Sequence, residues 1–137
     1  MKILIINGAN LNLLGTREPE IYGTTSMESV VKSIENKYNT HEFFYFQSNY
    51  EGAIIDRIQE ENFDALVINP GAFTHYSYAI ADCLKNLKKP KVEVHISNIY
   101  QREEFRQKSV TARYTDGILS GFGVNGYILA VESLVGF

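Results

Sequence analysis

The sharpest chemical signal in this sequence of 137 residues is the run Val92-Glu93-Val94-His95-Ile96. In an extended chain alternate side chains share a face, so Glu93 and His95 stand together. A carboxylate beside an imidazole fixes its tautomer and stabilises the imidazolium, which a general acid requires. The same pair could instead be a structural ion pair inside a sheet. A second concentration of reactive groups runs from Asn7 to Gly23, NGANLNLLGTREPEIYG. It offers the amides of Asn7, Asn10 and Asn12, the guanidinium of Arg17 and the phenol of Tyr22, with Gly8, Gly15, Pro19 and Gly23 for turns and hinges. A tyrosine is a poor base at its reference pKa of about 10, and bringing it to about 7 takes on the order of 4 kcal/mol. A guanidinium held against Tyr22 could supply that, and Arg17 and Arg102 are the candidates. Arg106, one helical turn beyond Arg102, shares its face and suits multi-donor contact with an anionic or hydroxylated substrate. These groups describe acid-base chemistry without a cofactor.

Other chemistries fit poorly. A phosphate-cradling loop needs a lysine and a hydroxyl directly after its last glycine, and the dinucleotide fingerprint needs three close glycines. Here bulky residues separate Gly8 from Gly15, and Thr16-Arg17 follows. A receiver-type domain would end its third strand on an aspartate, where this chain has Asn69. His41, His75 and His95 are too far apart in sequence for a metal motif, and His41 reads as a surface residue. Schiff-base chemistry needs a desolvated lysine at the site. The lysines lie in helices, helix ends or strand entries, with Lys2, Asp64 and Lys91 reading as solvated charges at the wrong edge of the sheet. A net charge of -3 with scattered Lys and Arg leaves no footprint for nucleic acid or a membrane surface. No apolar run approaches the roughly 20 residues of a membrane span, so a cytoplasmic protein is expected. Cys83, the single cysteine, sits in an apolar helical run and reads as a buried thiol.

The chemistry must be held by an alternation of strands and helices. Lys2 to Ile6 is a buried first strand, and the connection after it is too long for a simple turn, which suggests a lid over a site. A capping box at Thr25 and Glu28 opens a helix from about Ser26 to Tyr38. Strand two spans His41 to Phe46, and Ser48 with Glu51 caps a helix running to about Asn62. Ala65 to Ile68 is all apolar, the mark of a strand covered on both faces. A helix from about Tyr76 to Leu87, a strand from Val92 to Ile96, a charged helix from Arg102 to about Val110, a short strand Gly117 to Ser120 and a last helix Tyr127 to Val135 complete the chain. The length is one domain's worth, residues 1–137. Strand then helix throughout argues for an open five-stranded parallel sheet with helices on both faces. Ligands then bind at the carboxyl ends of the strands. Asn7, Asn10 and Asn12 follow strand one, Asn69 and His75 follow strand three, and His95 with Ser97 closes strand four.

The motifs NGANLNLLGTREPEIYG, QSNYEG, NPGAFTHYS, VEVHISN, REEFR and GFGVNGY, in this order over essentially the whole chain, resemble the type II 3-dehydroquinate dehydratases. Ala9 stands where that family more usually has proline, and Tyr50 where it often has histidine. The resemblance implies a flavodoxin-like three-layer α/β domain and the dehydration of 3-dehydroquinate to 3-dehydroshikimate, with no cofactor and no metal. It implies Tyr22 as the base, supported by Arg17, with Asn12 holding a water against the enolate and His95, oriented by Glu93, as the acid. Asn69, His75, Ile96, Ser97, Arg102 and Arg106 resemble the substrate-binding set, and Asp82 a residue that reaches a neighbouring subunit in a dodecamer, a tetramer of trimers. The competing class is a flavodoxin-like module that binds a small polyol carboxylate without converting it. Such a module has no need of Tyr22, Arg17 and the Glu93-His95 pair together.

Overall fold

In the computed structural model, residues 1–16, 20 and 25–136 are described. Five parallel strands form one sheet: β1 (Lys2–Asn7), β2 (Glu42–Gln47), β3 (Ala65–Asn69), β4 (Lys91–His95) and β5 (Gly117–Ser120), in the order β2-β1-β3-β4-β5. This is the flavodoxin-like order, whose switch point lies between β1 and β3. The helices α1 (Met27–Lys37), α2 (Glu51–Gln59), α3 (Tyr78–Asn86) and α4 (Asn125–Val135) cover the two faces.

Strand alternation builds two cores from one sheet. Ile3, Ile5, Val67, Val92 and Val94 pack against Met27, Val30 and Ile34 of α1 and Tyr127, Ala130 and Val131 of α4. Leu4, Ile6, Leu66 and Ile68 pack on the other face against Ile54 and Ile58 of α2 and Ile80, Cys83 and Leu84 of α3. In β4 this parity places Val92 and Val94 toward α4 and leaves Glu93 and His95 pointing to the opposite side. Cys83 is buried, as its apolar neighbours suggest.

Local chemistry departs from expectation at several points. Ser26, not Thr25, caps α1, its hydroxyl accepting from the Ser29 amide. Ser48 accepts from the Tyr50 amide, and α2 begins after Tyr50 without a side-chain cap. Lys91 is buried rather than solvated, its ammonium donating to the carbonyl of Leu87. His41 is half-buried. The largest departure is the segment expected as a helix from Arg102 to Val110, which forms a short 3-10 turn at Glu104–Arg106, with another at Ala112–Tyr114. Tertiary bonds claim its backbone: the Val110 amide donates to the Thr74 carbonyl, and the Gln107 side chain donates to the Arg102 carbonyl. With Phe105 exposed, the segment has no apolar stripe to hold a regular helix in place.

At the switch point the loops after β1 and β3 touch backbone to backbone. The Gly8 amide donates to the Asn69 carbonyl at 2.8 Å, and a Cβ at Gly8 would lie 2.0 Å from the Pro70 oxygen. Gly71 has φ +63, and a Cβ there would sit 2.9 Å from the Ala9 oxygen. A side chain at either place would push the two loops apart. Gly8→Ala is therefore expected to cost on the order of 3 kcal/mol of stability, read from the denaturant midpoint. An unchanged midpoint would show that the two loops do not need this approach.

Candidate active site

At the carboxyl ends of β1, β3 and β4 lies a cleft lined by Asn10, Asn69, His75, His95, Ser97, Arg102 and Arg106, among others. It sits at the switch point where the topology places ligands. β4 supplies its centre. Glu93 is fully buried, and its Oε2 lies 2.7 Å from Nε2 of His95. A carboxylate can only accept, so Nε2 carries the proton and Nδ1 is the ring nitrogen left for a ligand in the cleft. Burial alone would raise the Glu93 carboxyl. The hydrogen bond and charge of His95, with the hydroxyls of Thr111 and Ser109, more than reverse this and hold it below its ordinary range.

The loop after β3 contributes Asn69 and His75. The Asn69 amide is pinned at both ends, donating to the Tyr127 hydroxyl at 2.9 Å and accepting from the Gly71 amide at 3.0 Å. Its orientation is fixed before any ligand arrives. His75 Nδ1 lies 2.7 Å from the Lys108 carbonyl, so Nδ1 is the donor and Nε2 is the ring's remaining acceptor. Partial burial lowers the His75 pKa; the Lys108 bond opposes this, and the nearby charges of His95, Arg106 and Arg102 lower it further. At neutral pH His75 is thus an uncharged acceptor suited to a hydroxyl.

The loop after β4 brings the cations. Arg102 donates to the Ser97 hydroxyl at 3.2 Å, and Arg106 is held by Glu103 at 2.9 Å. The two line the cleft together although the segment between them forms only a short 3-10 turn and not a regular helix. Ile96 and Ser97 follow β4 directly and line the same space.

Other expected residues fall elsewhere. Asn12 stands exposed on the 3-10 turn Leu11–Leu13 and does not line the cleft. Asn7 is an internal strut and not a recognition group: fully buried, it accepts from Tyr127 at 2.7 Å and donates to the Tyr45 hydroxyl at 3.3 Å. Asp82 is exposed on α3, bordering a separate groove with Tyr78, Ser109 and Arg113. Arg17 and Tyr22, and most of the expected lid, lie outside the described residues. Among the described residues no group of three or more His, Cys, Asp or Glu side chains could hold a metal ion, and no helix is long and apolar enough to cross a membrane.

The residues that sequence reasoning missed are the hydroxyls around Glu93, from Thr74, Ser109 and Thr111, and the buried Tyr127. The only signal for the hydroxyls is indirect: a carboxylate expected inside a sheet must find donors somewhere in the chain. Nothing in the apolar run of α4 distinguishes Tyr127 from a packing residue.

Two consequences can be measured. Tyr127→Phe would leave buried Asn7 and Asn69 each short of a partner, which should cost about 1–3 kcal/mol in unfolding free energy; a loss below 0.5 kcal/mol, on the order of a surface substitution, would contradict the strut role. Because Glu93 is held below its unfolded value, its contribution to stability is complete above the ordinary carboxylate pKa and is lost as pH falls through the lower folded value. Unfolding free energy measured from pH 6 downward should fall through that acid window, and a flat profile there would contradict the assignment.

The chain is similar to known proteins over nearly its whole length. The family model described as "Dehydroquinase class II" matches residues 1–135. The 3-dehydroquinate dehydratase of Thermotoga petrophila is 60% identical over 134 residues, covering 96% of this chain and 93% of the relative. That of Caldicellulosiruptor bescii is 56% identical over 138 residues, covering 97% and 95%. The crystal structure of type II dehydroquinase from Butyrivibrio crossotus superposes with a TM-score of 0.94 at 52% identity, covering 98% of this chain and 97% of that one.

Proposed function

The chain belongs to the class II dehydroquinase family, and we propose that it dehydrates 3-dehydroquinate to 3-dehydroshikimate, a step of the shikimate pathway, by acid-base elimination. The observation that carries this is the buried Glu93–His95 pair opening onto a cleft flanked by Arg102, Arg106 and uncharged His75. The substrate is a polyol bearing a ketone and a carboxylate, and this cleft offers cations for the carboxylate and neutral acceptors for the hydroxyls.

In the proposed sequence Tyr22, ionised with help from Arg17, takes the C2 proton next to the ketone. The electron pair forms an enolate; the resemblance gives its stabilisation to a water held by Asn12, which requires the turn Leu11–Leu13, whose Leu11 lines the cleft, to bring the exposed Asn12 side chain inward. Collapse of the enolate forms the C1–C2 double bond and breaks the bond to the C1 oxygen. His95 gives that oxygen its proton, and water leaves. Glu93 orients the ring and balances its charge. Asn69 and His75 contact ring hydroxyls, while Ile96, Ser97, Arg102 and Arg106 receive the carboxylate side.

The same reading takes the assembly to be a dodecamer of four trimers in the cytoplasm. On this reading Asp82, exposed on α3 and not part of its own cleft, reaches a neighbour's site. The buried, unpaired thiol of Cys83 suits a reducing compartment.

The decisive variant is Tyr22→Phe. It should lose at least about 100-fold in kcat while still binding 3-dehydroquinate, because only the proton acceptor is gone. Turnover near that of the parent would sink the base assignment. For the assembly, activity should vanish when the protein is diluted to sized monomers, whereas a fully active monomer would exclude the shared site.

A further inference from the structure

Glu93 is met by more than its imidazole partner. Its Oε2 accepts from His95, from the Ser109 hydroxyl at 2.8 Å and from the Thr74 hydroxyl at 3.1 Å, while Oε1 accepts from Thr111. These hydroxyls also touch one another, with Thr74 at 2.6 Å from Ser109 and 2.7 Å from Thr111. The segment carrying two of them is fastened by its backbone. Val110 donates to the Thr74 carbonyl at 2.7 Å, and the Ala112 amide donates to the Ser109 oxygen at 2.9 Å. That last bond occupies the Ser109 oxygen and leaves its proton for the carboxylate side. One residue earlier, the Lys108 carbonyl fixes the His75 ring. The same strap therefore holds both imidazoles of the cleft.

We propose that Thr74, Ser109 and Thr111 form a positioning cage that locks Glu93 as the ionised partner of His95, so that the strap 108–111 directs the proton of His95 toward substrate. Each carboxylate oxygen has about two acceptor positions; three donors converge on Oε2 and one reaches Oε1, so the positions of the oxygen that faces His95 are filled. With those positions filled, Glu93 has no place for the proton of Nε2, and the ring gives up its proton from Nδ1, on the cleft side. A hydroxyl cage also leaves the carboxylate only one rotamer, which fixes the plane of the imidazole. The three hydroxyls touch no reacting atom and act through Glu93. This rests on the reading of His95 as the acid.

The test compares Thr111→Val, which keeps shape and removes the hydroxyl, with Thr111→Ser, which keeps the hydroxyl and removes a methyl, both in the full-length assembled protein. Thr111→Val should lower kcat on the order of tenfold or more, with KM for 3-dehydroquinate within about twofold, and Thr111→Ser should restore kcat to within about threefold. An unchanged kcat in Thr111→Val, or a Thr111→Ser variant as slow as the valine form, overturns the cage. In protein labelled with 15N-histidine, the Nε2–H resonance of His95 should persist in the parent and the serine variant and shift or broaden in the valine variant. His95→Asn separates the two claims. If it retains turnover, the acid assignment fails, and the resonance alone decides: a change in the valine variant supports the cage, and an identical signal overturns it. Should Thr111→Val not fold, Ser109→Ala is read by the same criteria.

Discussion

A single buried negative charge governs how the catalytic end of this molecule is built. Glu93 lies in β4 with no solvent exposure, where an unpaired carboxylate would be prohibitively costly. Four side chains relieve it, from three parts of the chain: His95 from the same strand, Thr74 from the loop after β3, Ser109 and Thr111 from the strap before β5. Satisfying the charge therefore ties two loops to β4 around one imidazole. The folding requirement and the chemical requirement have the same solution, because the donors that make the charge tolerable also make its geometry unique.

A second constraint sits one strand away and is steric. Gly8 and Gly71 let the loops after β1 and β3 meet at backbone distance. Behind them Tyr127 reaches from α4 to both Asn7 and Asn69. Register makes this possible, since Asn7 of β1 is paired with Asn69 of β3 at the carboxyl edge of the sheet. The Tyr127 hydroxyl is desolvated by full burial, which pushes it well above the ordinary tyrosine range and keeps it protonated as a donor. The asparagine that faces the cleft is thus oriented by the core itself, and the floor of the site is set before a ligand binds.

Much of this was legible in the sequence because it follows from periodicity. The alternation of buried strands with amphipathic helices fixes an open parallel sheet, and the parity of β4 puts Glu93 beside His95. The strand ends then point to Asn69, His75 and Ser97. What was not legible depends on contacts between residues distant in sequence. By sequence the amide of Asn7 reads as a recognition group, because the Tyr127 hydroxyl that engages it lies 120 positions away. The charged run after Arg102 reads as a helix by composition, yet tertiary bonds to Thr74 and within the loop hold it as turns. Lys91 reads as solvated because nothing local in the sequence shows that its ammonium donates to the Leu87 carbonyl.

In the proposed mechanism the negative charge on Glu93, and not merely a hydrogen-bonding shape, holds His95 in its working state. Glu93→Gln keeps the size and an acceptor oxygen while removing the charge, so kcat for 3-dehydroquinate in that variant, with folding verified by circular dichroism, is the most direct measurement. A loss on the order of 100-fold or more is expected, with substrate affinity retained. A variant that turns over within a few-fold of the parent would contradict it.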